Sequence, residues 1–180
     1  MLEERSGRTR GDAVRFWCDD TFASPARACL GRLDQAVHVQ SIVYGKLRRY
    51  YHLSVLRHLL WPTLVLLNIR DGFLVVIGFV QSVVKLVLWR PDVVFTKGGY
   101  VCLPVGLAAK ILGIPLVIHD SDAHPGLTNR VLSKWATAIA TGAPLEYYPY
   151  PKSISRYIGI PIADEFHPFS PSERQAAREL

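Results

Sequence analysis

Short β-branched apolar runs alternate along this chain with longer apolar stretches of helical period, and the alternation is clearest between Pro91 and Arg130. Asp92 to Phe95 reads as a buried strand, a loop holding Gly98 and Gly99 follows, and an apolar helical segment then runs to Gly113. The plan repeats at once. Pro115 to Ile118 reads as a second buried strand, His119-Asp120-Ser121-Asp122 as its exit loop, and Pro125 as the first-turn proline of a helix through Trp135. Two strands joined by a crossover helix run parallel, so both exit loops fall at one carboxyl edge of a sheet, where open α/β folds bind ligands.

The flanking segments extend the plan. Ala13 to Cys18 and Val37 to Val43 are β-rich, with Ser24 to Leu33 between them as a short helix whose first position is Pro25; Met1 to Arg10 reads as the tail of another helix. Leu53 to Arg70 is helical in pattern but carries Pro62, expected to kink or divide it. Gly72 to Trp89 is the most apolar stretch. A membrane span needs about 20 mostly apolar residues, and here Gln81, Ser82 and Lys85 share one narrow face with Gly78 and Trp89, leaving a wide apolar face for a sheet. Because this helix leads directly into the Pro91 strand, a packed crossover is favoured over an interfacial helix or a span. Ala138 to Thr141 and Arg156 to Gly159 complete the strands, separated by the rigid turn-rich loop PLEYYPYPKS. The pattern therefore predicts one Rossmann-like α/β domain over residues 1–165. Residues 166–180 read as a linker opening a helix capped by Ser170 or Ser172.

Composition narrows the partners. With 180 residues, 49% hydrophobic and 20% charged, the chain can bury the core of one domain, and its formal charge of +6 favours anionic partners: phosphates, nucleic acid or an acidic membrane. The basic cluster Lys46, Arg48, Arg49, flanked by tyrosines, suits phosphate or lipid headgroups equally as it suits a solvated turn. Cys18, Cys29 and Cys102 are odd in number and lack paired zinc spacing, which fits a reduced compartment, and the charged start MLEERSGRTRGD lacks the apolar segment of a signal peptide.

Two stretches carry chemistry. Thr96-Lys97-Gly98-Gly99-Tyr100 can cradle a phosphate, because paired glycines let backbone N–H groups approach an anion beside a helix start; equally, they can serve only the turn. The stretch is neither a Walker loop nor a dinucleotide fingerprint. His119, Asp120, Asp122 and His124 form a polar cluster that could act as general base or simply cap the next helix, with His119 a core histidine. Their spacing matches no metal-ligand frame, so neither metal nor cofactor is expected. Thr128-Asn129-Arg130 follow in the first turns of that helix.

At this point the residues resemble a family. Gly98-Gly99-Tyr100-Val101, Gly106-Leu107-Ala108-Ala109, Leu112-Gly113-Ile114-Pro115, Val117-Ile118-His119 and Pro125-Gly126-Leu127-Thr128-Asn129-Arg130 occur in the order and spacing of family 28 glycosyltransferases. The likeness is strongest from about Arg90 to Arg130 and looser from Ala13 to Tyr51 and around Tyr157 to Ile162. It implies the N-terminal half of a GT-B fold, which holds a lipid-diphosphate acceptor at the membrane while a C-terminal domain holds a UDP-sugar. The implied reaction is inverting transfer of N-acetylglucosamine from UDP-GlcNAc to an undecaprenyl-diphosphate-linked muramyl peptide, lipid I to lipid II, in peptidoglycan synthesis. The implied location is the inner face of the plasma membrane, peripheral and cytoplasmic, with no nucleic-acid partner.

The resemblance also implies roles: Lys97, Gly98, Gly99 and Tyr100 for the acceptor diphosphate, Asp120 with His119 for catalysis, Asp122 and Asn129 for the donor sugar, and Lys46, Arg48 and Arg49 for headgroups. There are departures. The family's opening strand and Gly-rich loop ending in histidine have no counterpart here, and the chain as given is expected to be inactive alone. The family's His-Glu-Gln-Asn stands here as His119-Asp120-Ser121-Asp122, and its Gly-Asn-Pro-Val-Arg as Gly159-Ile160-Pro161-Ile162-Ala163. Alternatives that fit the same resemblance are a non-catalytic membrane-docking subunit with a separate donor-binding chain, or another lipid glycosyltransferase such as one acting on diacylglycerol.

Overall fold

The computed structural model describes residues 13–31, 37–46, 61–122 and 124–161, with Ser170, Gln175 and Arg178. Strands β1 (Arg15–Cys18), β2 (His38–Ser41), β3 (Val94–Thr96), β4 (Leu116–Asp120), β5 (Ala138–Thr141) and β6 (Ser155–Tyr157) alternate with helices α1 (Asp20–Leu30), α2 (Pro62–Trp89), α3 (Cys102–Ile111) and α4 (Leu127–Leu132). Every pairing is parallel, as the βαβ pattern requires. Among the described residues the strands form two pieces, β1-β2 and β3-β4-β5-β6, rather than one continuous sheet. The helix tail expected over Met1 to Arg10, the part of Leu53 to Arg70 before Trp61, and most of 166–180 lie outside the described residues.

The core lies where β3 to β5 meet the helices. Leu116, Ile118 and Ile139 point to one face and pack with Val105, Ala108 and Ala109 of α3, Leu132 of α4 and Leu86 of α2, all buried. Gly106 lets α3 and α4 close together, since a Cβ there would sit 2.5 Å from a Leu132 methyl carbon. Gly113, at φ 68°, ends the turn after α3.

Helices α1 and α2 each carry a proline that the sequence pattern singled out. Helix α1 starts at Asp20, not at Ser24: the Asp19 carboxylate accepts the Phe22 N–H at 2.8 Å, and this cap starts the helix early enough to put Pro25 inside it. Pro62 follows an extended Trp61, the stretch before which lies outside the described residues. It opens α2, at a position whose N–H would be unpaired in any case, and the helix runs unbroken through Gly72 to Trp89. It ends on Arg90 at φ 51°, whose N–H bonds the Leu86 carbonyl at 2.7 Å.

The orientation of α2 is the larger correction. Its narrow polar face, not its wide apolar one, meets the body of the domain. Ser82 is fully buried and donates to the Gly78 carbonyl at 2.6 Å, the Gln81 amide oxygen accepts the Val43 N–H at 2.9 Å, and Lys85 donates to the Ser41 carbonyl at 3.1 Å. Lys85 also sits 5.7 Å from the Trp17 ring and Arg15 4.8 Å from the Trp89 ring, so α2 ties β1 and β2 to the larger sheet. The segment after β2 lies directly on the helix: a Cβ on Gly78 would collide with the Val43 carbonyl, and one on Gly45 with the Asp71 backbone. Backbone groups leaving β2 need partners, and the polar stripe supplies them. Leu66, Ile69, Phe73, Val76, Ile77, Val80, Val84, Val87 and Leu88 are left facing outward.

This crossing is testable by opposite substitutions on one helix. Gly78→Val should destabilise the chain by about 1–3 kcal/mol through overpacking against Val43, whereas Gly72→Ala, with open space at its Cβ, should stabilise by about 0.5–1 kcal/mol. Denaturant midpoints of the two variants against the parent chain check both signs.

Candidate functional site

Strand β3 ends at Thr96, and the chain turns through Gly98 and Gly99 at φ 86° and 90° before α3 begins at Cys102. Two successive left-handed residues restrict both positions to glycine. The turn is pinned from behind: Cys102 donates its N–H to the Gly99 carbonyl at 3.3 Å and its thiol to the Gly98 carbonyl at 2.7 Å. Val101 precedes α3 without a side-chain cap, so the first N–H groups of the helix open towards the turn. Lys97 and Tyr100 are exposed beside it. An anion fits such a corner.

Behind Gly98 lies Asn129, in the first turn of α4. A Cβ on Gly98 would stand 2.9 to 3.2 Å from three atoms of the Asn129 carboxamide, and that side chain is 3% exposed. The structure thus brings Asn129 to the glycine turn, not into solvent. Helix α4 begins at Leu127 with Gly126 as its cap, so Pro125 precedes the helix instead of opening it.

The next exit is built differently. His119 and Asp120 belong to β4, one strand residue pair further than Pro115 to Ile118 suggested, and both are buried. His119 Nε2 lies 3.0 Å from the Gly159 carbonyl and Nδ1 3.0 Å from Ser121 Oγ; since a carbonyl only accepts, Nε2 carries the proton in the neutral ring. One Asp120 oxygen accepts the Tyr150 hydroxyl at 2.6 Å and the other the Asp122 N–H at 3.2 Å. Tyr148 donates to the Asp122 carbonyl at 2.7 Å and its ring stacks on Tyr150 with centroids 5.6 Å apart. Burial, followed by the Asp120 carboxylate, raises the Tyr150 phenol far above its ordinary value, so this bond stays intact across neutral pH.

Both side chains expected to serve catalysis, Asp120 and His119, are buried with every polar atom hydrogen-bonded inside the fold, and this geometry positions the loop that follows β4. Asp122 and His124 are the exposed members of the cluster. Lys46 is exposed where the segment after β2 lies across α2, while Arg48 and Arg49 lie outside the described residues. Tyr148 and Tyr150 were not foreseen. Their signal was available as a pair of hydroxyls two residues apart in a loop of 3₁₀ and turn structure between β5 and β6.

A parallel α/β sheet whose carboxyl edge carries a glycine turn against a helix start defines the Rossmann-like class of domains that take phosphorylated ligands at that edge. The particular branch follows from comparison. The model of the glycosyltransferase family 28 N-terminal domain matches residues 35–141. A Geobacillus kaustophilus relative, UDP-N-acetylglucosamine--N-acetylmuramyl-(pentapeptide) pyrophosphoryl-undecaprenol N-acetylglucosamine transferase, is 38% identical over 141 residues, covering 77% of this chain and 35% of its own. A Lachnospira eligens protein of the same name is 37% identical over 134 residues, covering 73% and 34%. The crystal structure of Acinetobacter baumannii MurG shares the fold, with a TM-score of 0.60 and 24% identity over 88% of this chain and 40% of that one. This chain belongs to glycosyltransferase family 28. It spans about a third of the length of the curated relatives it matches.

The pinned turn predicts an order of thiol reactivity. Burial pushes the Cys102 thiol up to about 11, so its thiolate is scarce until the pH nears that value, while Cys29 is exposed on α1. Alkylation with iodoacetamide at pH 8, followed by mass spectrometry, should label Cys29 first and spare Cys102. Labelling of Cys102 at a comparable rate would mean that the turn is open.

Proposed function

We propose that this chain is the acceptor-binding domain of an inverting GT-B hexosyltransferase that moves N-acetylglucosamine from UDP-GlcNAc to an undecaprenyl-diphosphate-linked muramyl peptide. The observation that carries this reading is the glycine turn at the uncapped start of α3, within the stretch matched by the family model. Gly98, Gly99 and the first N–H groups of α3 hold the acceptor diphosphate, Lys97 adds a full charge, and Tyr100 flanks it. A base removes a proton from an acceptor sugar hydroxyl, whose oxygen attacks the anomeric carbon as UDP departs with the bonding pair, inverting that centre. Asp120 and His119 hold the loop that presents Asp122 to the sugar. UDP-GlcNAc sits chiefly in a second domain.

The outward stripe of α2 supports docking at the cytoplasmic face of the plasma membrane. By length and composition this helix could cross a bilayer. Its inner face is nevertheless bonded to the segment after β2, it packs on α3, and it joins two strands of one α/β domain, so it lies on the membrane rather than through it. Lys46, exposed beside that helix, meets headgroups.

A second reading is favoured by one residue. Asp122 places an acid where the family motif carries an amide, removing a hydrogen-bond donor from the sugar edge. This suits a non-catalytic docking subunit that recruits a separate donor-binding chain.

In the complete two-domain enzyme, Lys97→Ala should raise the KM for the lipid-linked acceptor about 10- to 100-fold, the loss expected for one charge-assisted hydrogen bond, and leave the KM for UDP-GlcNAc unchanged. Equal effects on both substrates would sink the assignment of this turn to the acceptor. For membrane docking, Phe73→Asp combined with Val80→Asp should cut co-sedimentation with phosphatidylglycerol vesicles at least about tenfold, the cost of losing two buried apolar side chains. Both positions are exposed, so the melting temperature should hold.

A further inference from the structure

We infer that Asn129 is a positioning residue for the anion-binding turn, acting through Gly98, instead of a contact to the donor sugar; this rests on the diphosphate reading of the turn. Its carboxamide fills the space that a side chain at Gly98 would take, with Nδ2, Oδ1 and Cγ at 2.9, 3.1 and 3.2 Å from the position of the missing Cβ. The amide is 3% exposed and its Oδ1 has no hydrogen-bond partner. On the strand side of the same turn, Thr96 is equally buried and its Oγ1 is also unpartnered. Buried polar atoms without partners are rare in folded proteins and call for an explanation at the place where they occur. Here two of them flank the same three residues, Lys97 to Gly99.

A hydrophobic side chain would pack behind Gly98 at lower desolvation cost, but it would present no dipole. An amide backs the turn without adding net charge, and its free oxygen can accept a backbone N–H or a ligand hydroxyl as the turn closes on an anion. The placement has a second consequence. Asn129 lies three residues into α4, and the segment from Ser121 to Gly126 feeds that helix. The same side chain that braces the first exit loop is thus carried by the element that the second exit loop starts. Movement of the Asp122 loop therefore reaches the diphosphate corner through one amide.

The test uses the whole 180-residue chain with inorganic pyrophosphate as probe, read by calorimetry at a temperature where circular dichroism finds every variant folded. Asn129→Ala should weaken pyrophosphate binding about tenfold. Asn129→Asp, nearly isosteric, should weaken it at least fivefold more than Asn129→Ala, because it sets a negative charge behind the turn. A side chain that merely packs would give the reverse order. Gly98→Ala should lose binding alone, and its loss combined with Asn129→Ala should be less than multiplicative, since the alanine methyl then meets open space. Lys97→Ala separates the two readings: if it weakens binding while both Asn129 variants bind like the parent, the turn holds phosphate and the role of Asn129 is overturned. If the parent chain itself binds no pyrophosphate, the diphosphate reading fails and this inference falls with it.

Discussion

The backbone groups that leave β2 need hydrogen-bond partners, and the way they find them decides how half of this molecule is arranged. Val43 and Ser41 take theirs from Gln81 and Lys85, which obliges the polar stripe of α2 to face inward. A helix cannot turn one face in without turning the other out. The glycines at 45 and 78 permit the contact to be close enough for those bonds to form, and the ring contacts of Lys85 and Arg15 extend it to β1. The outward apolar stripe is thus a by-product of polar satisfaction inside, and its position is set by a handful of hydrogen bonds on the opposite side of the same helix.

The carboxyl edge of the larger sheet obeys a related rule with a different solution. Strand β4 carries two polar side chains into the interior, and each is matched from a segment far along the chain: Tyr150 to Asp120, Gly159 to His119. Because those partners come from either side of β6, the geometry of the Asp122 loop depends on the packing of the whole C-terminal third of the domain. The glycine turn after β3 is held by one near neighbour, Cys102, and by Asn129 from α4. Both corners are therefore assembled from pieces distant in sequence, and the first adds a local pin at Cys102.

Much of this was legible in the residues and some was not, for identifiable reasons. The strand-loop-helix repeat from Pro91 to Arg130 announced parallel strands with their exits on one edge, because β-branched runs and glycine stops are local signals. Pro62 stands at the first turn of α2, a position that sequence pattern alone cannot tell from an interior turn without knowing where the helix starts. The faces of α2 were reversed because amphipathic pattern says that two faces differ, while only the partners decide which one is buried. The partners of Asp120 were hidden for the same reason: its carboxylate accepts from positions 122 and 150, and the second of these is invisible to local pattern.

The two faces of α2 also live under different rules of substitution. On the inner face, Gly78 and Ser82 are constrained by shape, since each sits against particular atoms at fixed distances. On the outer face, Val76, Val80 and Val84 are exposed, and among the described residues no packed neighbour fixes their shape. One helix therefore tolerates substitution unequally: strictly on the face fitted against the protein, loosely on the face turned outward.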